Sequence, residues 1–130
     1  QIPIGGREEI LNTKRGLLIG DAAGLADPIT GEGIYFGLRS GQMAAEAIHK
    51  GLTDGVIDLD DFTKRVNKEI TNDFRYASYL ALLLYNLCFI SYKFARSWDI
   101  VSETFVKVVI GEYSYRDVFT KIPKKLFGLT

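Results

Sequence analysis

Apolar and polar positions follow two different rhythms along the chain. Leu17, Leu18 and Ile19 form a short apolar run closed by Gly16 and Gly20, which predicts a short buried strand. After Gly33 the rhythm turns helical. Ile34, Leu38, Ala45 and Ile48 recur on one side of a helix expected to run to about Lys50, with Gly51 as its stop. Gly37, Gly41 and Ala44 lie on a neighbouring face and offer a smooth strip for close contact with a sheet or another helix. Residues 52–59 read as a loop. Asp58 and Asp61, three apart, make a capping pattern for a long helix. Phe62, Val66, Glu69 or Ile70, and Asp73 or Phe74 keep its period. From Tyr76 to Tyr92 there are 17 positions without a charge. A helix then starts near Asp99, with Ile100, Phe105, Val108 and Val109 as its apolar side and Gly111 at its end. Ser114 and Asp117 form a second capping pattern. It opens a short helix from Tyr115 to about Lys121 that Pro123 stops, with Leu126 and Phe127 docking back. Before all of these, Ile2 to Gly6 cannot be helix, and residues 9–12 read as a short strand or an extended arm.

The fold class expected is mainly α with a short β segment. At 130 residues, 47% apolar and 25% charged, the chain can build one ordinary core. Its net charge of zero gives no reason to expect nucleic-acid binding. Charge is uneven, however: residues 1–60 carry five Lys/Arg against nine Asp/Glu, and residues 90–130 carry seven against four. The basic tail with Lys121, Lys124 and Lys125 allows peripheral contact with an anionic membrane, although a solvated face explains it more simply. A spanning helix needs roughly 20 apolar residues. The run from Tyr76 to Tyr92 is shorter and holds four tyrosines, Ser78, Asn86 and Ser91, so a buried helix, or two helices broken near Asn86, is expected. Cys88 is the one cysteine and His49 the one histidine, too few for a disulfide or a zinc site.

Candidate chemistry concentrates between Gly16 and Gly41. Asp21 stands just past the expected strand, where an open sheet meets its ligand crevice, and a carboxylate only accepts hydrogen bonds. Ala22, Ala23 and Gly24 are small enough for a ligand to approach the backbone. Asp27-Pro28 is a turn signal. Thr30-Gly31-Glu32-Gly33 then opens the helix. The first N–H groups of a helix lack internal partners and carry partial positive charge, and glycines leave them uncovered for an anion or a polarised carbonyl. The simpler reading is that Asp21 caps a turn and the glycines only allow a tight connection.

This stretch resembles the second FAD-binding motif of the flavoprotein hydroxylase superfamily, and within it the geranylgeranyl reductase family, including archaeal enzymes of the digeranylgeranylglycerophospholipid reductase type. The matching residues are Gly20-Asp21-Ala22-Ala23-Gly24, Pro28, Thr30-Gly31-Glu32-Gly33-Ile34 and Gly41. The resemblance implies FAD as cofactor. Asp21, beside Gly20, would hold the ribityl hydroxyls, and the loop of Pro28, Gly31, Glu32, Gly33 and Ile34 would lie against the isoalloxazine ring. Gly31, Gly33 and Ile34 would offer it their N–H groups. It also implies an α/β, Rossmann-like two-domain enzyme of which this chain is the C-terminal part. Residues 1–51 would close the FAD-binding domain, and residues 52–130 would form a helical region, in which the run from Tyr76 to Tyr92 would help enclose an isoprenoid chain. No Gly-x-Gly-x-x-Gly pyrophosphate loop occurs in the sequence.

The activity implied is reduction of isoprenoid C=C bonds in lipids. NAD(P)H or ferredoxin would supply the electrons, and the setting would be cytoplasmic or at the membrane surface. The alternatives are a flavin-dependent hydroxylase or halogenase, and a helical lipid-binding or interaction module without activity. Catalytic residues are not identifiable from the sequence. An exposed sheet edge would favour self-association.

Overall fold

The computed structural model describes residue 5 and residues 9–56, 58–86 and 99–126. Cys88, Tyr92, Phe127 and the Ile2–Pro3 entry lie outside them. Among the described residues there are five α-helices and no strand. They are α1 (Ile34–Asp54), α2 (Asp60–Val66), α3 (Asn72–Asn86), α4 (Asp99–Val109) and α5 (Tyr115–Leu126). A 3₁₀ turn spans Gly20–Ala23, and a π-helical turn, Asn67–Thr71, joins α2 to α3. The chain divides into two compact units, residues 1–75 and 76–130, with the boundary inside α3.

The first unit is built around the long helix from α2 into α3. Its expected register holds: Phe62, Val66, Ile70 and Phe74 are all buried at four-residue spacing, and they form one core with Leu11, Leu25, Met43, Ala44 and Ala47. Phe36 meets Phe74 edge-on, with ring centroids 4.6 Å apart, the arrangement aromatic quadrupoles favour. Asp58 Oδ1 accepts the Asp60 N–H at 3.0 Å at the start of α2. Two ion pairs tie α1 to this helix: Arg65 to Glu46, and Arg39 to Glu69, each at 2.6 Å.

The expected strand at Leu17–Ile19 is corrected to a single antiparallel bridge between Asn12 and Leu17. Leu18 and Ile19 are exposed. An isolated pair of extended segments is marginal in water, and here polar side chains of α2 hold it. The Leu11 N–H donates to Thr63 Oγ1 at 3.1 Å, the Asn12 amide donates to Asp60 Oδ1 at 2.8 Å, and the Thr63 hydroxyl donates to Asn12 Oδ1. Those bonds carry Leu11 into the core.

Helix α1 differs from expectation in its length and in its faces. It runs past Gly51, which is buried inside it, and ends at Asp54, where Gly55 at φ 72° supplies the left-handed cap. The large apolar side chains of the expected stripe point outward: Ile34 is 78% exposed and Leu38 72%, and Ala45, Ile48 and Leu52 are exposed too. The buried face carries Ser40, Met43, Ala44, Ala47 and Gly51. Small residues win this face because they let neighbouring backbone come close.

In the second unit α4 and α5 form a helical hairpin. Gly111, at φ 79°, donates to the Val108 carbonyl, and the Glu112 N–H donates to the Lys107 carbonyl at 2.8 Å, closing α4. The expected capping pair forms: Ser114 N–H donates to Asp117 Oδ2 at 3.1 Å, and Asp117 N–H donates to Ser114 Oγ at 3.3 Å. The stop expected at Pro123 is corrected, because α5 continues to Leu126. The side of α4 expected to be apolar is exposed at Phe105 and Val109, while Thr104 is buried. Leu82, Leu83, Tyr79 and Tyr85 of α3 are exposed as well, with Ala77 and Ala81 buried. No helix among the described residues is long and apolar enough to cross a membrane.

Candidate functional site

The Gly20–Ala23 turn lies along the start of α1 like one half of a zip. A Cβ on Gly41 would lie 3.9 Å from Ile19 Cδ1. One turn nearer the helix start, a Cβ on Gly20 would lie 3.3 Å from Gly37 Cα. One turn further, a Cβ on Gly33 would fall only 2.6 Å from Asp21 Oδ1. Residues 19, 20 and 21 thus meet residues 41, 37 and 33 in turn, and the last step brings the Asp21 carboxylate to the N-cap of the helix.

Backbone geometry makes this path possible. Gly20 sits at φ 54° and Gly24 at φ 66°, values that side-chain-bearing residues rarely adopt. Gly24 N–H donates to the Asp21 carbonyl and Leu25 N–H to the Gly20 carbonyl, each at 3.0 Å, closing the turn. Leu25 and Ala26 then enter the core.

The loop that follows is organised by Asp27, which is buried. Its Oδ1 accepts the N–H groups of Ile29 at 2.8 Å and Thr30 at 2.9 Å. Its own N–H donates to the Glu32 carbonyl, and its carbonyl accepts the Gly31 N–H, both at 2.9 Å. Gly31 takes φ 70°. The sequence shows Asp27-Pro28 as a turn but not the inward aspartate that knots it.

At the mouth of α1, Gly33 is the N-cap and supplies no side chain. Tyr35 N–H donates to Glu32 Oε1 at 2.7 Å, and Gly37 N–H to the Gly33 carbonyl at 2.8 Å. Among the described residues, no acceptor meets the N–H groups of Gly33, Ile34 or Phe36, and no donor meets the Asp21 carboxylate. Acceptor oxygens and orphan donors therefore stand side by side. They open onto a groove of about 660 Å³ lined by Gly20, Asp21, Ala26, Gly31, Gly33, Ile34 and Gly37.

The candidate residues separate accordingly. Gly20, Asp21, Gly31, Gly33 and Ile34 line the groove; Pro28 and Glu32 do not. Gly31 contributes its bare surface, its N–H being already given to Asp27, and Glu32 covers one amide of the helix start. Ala26 and Gly37 join the lining without having been singled out as ligand contacts. Among the described residues no cluster of metal-binding side chains occurs.

Comparison with known proteins gives a consistent group of relatives. The chain is 48% identical over 58 residues to the chloroplastic geranylgeranyl diphosphate reductase of Arabidopsis thaliana, covering 43% of this chain and 12% of that protein. It is 30% identical over 92 residues to the digeranylgeranylglycerophospholipid reductase of Methanosarcina acetivorans, covering 71% of this chain and 22% of the relative. It is 37% identical over 84 residues to the menaquinone reductase of Mycolicibacterium smegmatis, covering 64% of this chain and 20% of the relative. The chain therefore spans about a tenth to a fifth of the length of these curated relatives. No family profile matches it, and no solved structure does. Across the matched residues, this chain is similar to geranylgeranyl and digeranylgeranylglycerophospholipid reductases.

Proposed function

We propose that these residues form the flavin-facing, C-terminal part of an FAD-dependent enzyme that reduces isoprenoid C=C bonds of lipids. The observation that carries this reading is the pairing of the Asp21 carboxylate with the open N–H groups of Gly33 and Ile34 in one groove. A ribityl chain offers hydroxyl donors to a carboxylate, and the N1–C2=O edge of a flavin offers acceptors and, when reduced, negative charge. A helix start complements the second, and an acceptor-only side chain complements the first. Gly31, where a Cβ would meet nothing within 4 Å, leaves bare backbone against which a flat ring could lie. Asp21, Gly33 and Ile34 would bind and orient the cofactor, and Gly20 and Gly31 would let it approach.

FAD, when bound, would supply the two-electron reducing power for saturating a double bond, drawn from NAD(P)H or ferredoxin. The remaining requirements are the pyrophosphate site, the rest of a Rossmann-like FAD-binding domain and an isoprenoid lipid. The resemblance of the Gly20–Gly41 motif supports the first two and the relatives' names support the third, and all belong to the whole enzyme. Residues 1–51 then close the cofactor domain, and residues 52–130 form its helical continuation.

The test uses the full-length polypeptide that contains these residues. It should purify with FAD and, given dithionite or NADPH, add hydrogen to a geranylgeranyl lipid, read by mass spectrometry. Asp21→Asn should weaken FAD binding about tenfold or more, since hydrogen bonds to a charged group contribute about 1.5–3 kcal/mol. A flavin-free wild-type protein, or an Asp21→Asn variant that binds FAD as tightly as wild type, would remove the basis of the assignment.

A further inference from the structure

Ser40 is wholly buried, yet it is polar and sits on the inner face of α1. Its hydroxyl donates within the helix, to the Phe36 carbonyl at 2.7 Å, with the Gly37 carbonyl at 3.1 Å. The same oxygen accepts the Gly20 N–H at 3.0 Å. Gly20 is itself buried, so this N–H has no water to turn to. A serine that only back-bonds to its own helix is common and slightly unfavourable. This one also reaches across twenty residues to the peptide that precedes Asp21.

We infer that Ser40 is the positioning residue that holds the Gly20–Asp21 turn on α1 and so fixes the Asp21 carboxylate at Gly33. The inference rests on the flavin reading of that groove and deepens it. The contacts along the zip are otherwise apolar or bare: Ile19 against Gly41, and Gly20 against Gly37. Van der Waals contact of that kind resists approach but does not set a rotation or a slide along the helix. A single buried hydrogen bond, directional and without a competing acceptor, sets both. Ser40 does not itself line the groove, but it bonds to Gly20 and Gly37, which do. Its effect on a ligand would pass through the backbone of Gly20 to Asp21, one residue on.

Four forms of the full-length protein test this: wild type, Ser40→Ala, Asp21→Asn, and Val66→Ala as a control that thins the core. Two readouts are taken: FAD affinity, and hydrogen–deuterium exchange across residues 17–26 without flavin. Ser40→Ala should weaken FAD binding about tenfold and speed exchange in that peptide, whereas Val66→Ala should do neither beyond its loss of thermal stability. If Asp21→Asn weakens binding but Ser40→Ala behaves as Val66→Ala does in both readouts, Ser40 is only a core residue and the inference is overturned. If Asp21→Asn binds FAD as wild type does, the flavin reading fails. Exchange then decides the rest: faster exchange in Ser40→Ala supports the anchor, and unchanged exchange overturns it.

Discussion

Gly33 shows how little space the site leaves at its narrowest point. Its φ of −125° suits any residue, so conformation does not demand glycine there. What demands it is the Asp21 oxygen, 2.6 Å from where a Cβ would stand. Gly33→Ala should therefore push the exposed carboxylate aside at little cost to folding. In the full-length protein it should weaken FAD binding about tenfold while the melting temperature stays close to wild type; unchanged affinity would mean that Asp21 does not work from this position. At this scale the sequence singled out Asp21 and the glycines, and the structure brings Gly20, Asp21, Gly31 and Gly33 to one groove. The sequence was silent about Ser40 and Asp27. A serine in a helix and an aspartate before a proline look like surface residues until the fold turns them inward, and only tertiary contact with Gly20 or with the Ile29 and Thr30 amides shows otherwise.

Among the elements, the long helix from Asp60 was legible and α1 was half legible. Phe62 and Val66 set the period, and at the next two turns the apolar member of each expected pair, Ile70 and Phe74, is the buried one. In α1 two apolar faces compete, and the one with the larger side chains lost. The winning face is set by partners far along the chain, the Gly20 turn and α2, which periodicity alone does not contain. The strand at Leu17–Ile19 failed for the same reason, since a strand needs neighbours to pair with. Ion pairs reinforce the packing of α1 on its neighbour. The Arg65 guanidinium, hydrogen-bonded to Glu46, holds that carboxyl below its usual range. A carboxyl depressed in the folded state contributes stability above its unfolded pKa and loses it as pH falls through the lowered folded value. The melting temperature of Glu46→Gln should therefore lie below wild type near neutrality, and the gap should close in strong acid. A gap that persisted there would assign the effect to packing rather than charge. The pair is solvent-exposed, so added salt should also narrow the gap.

For the molecule as a whole, the helical content and the zero net charge were plain from the sequence, and the division at Arg75–Tyr76 was not. That boundary falls within a continuous helix, where neither composition nor a linker marks it. The outward row of Ile34, Leu38, Ile48 and Leu52 also has a bearing on how the chain behaves in a test tube. Greasy ridges of this kind make solubility a function of the solvent's ions: sulfate strengthens their mutual attraction, and fluorescent apolar dyes settle on them. Chain carrying Leu38→Gln with Ile48→Gln should need more ammonium sulfate to precipitate and should light the dye less, with its melting point nearly unmoved. Equal precipitation by both forms would mean that water never wets that ridge.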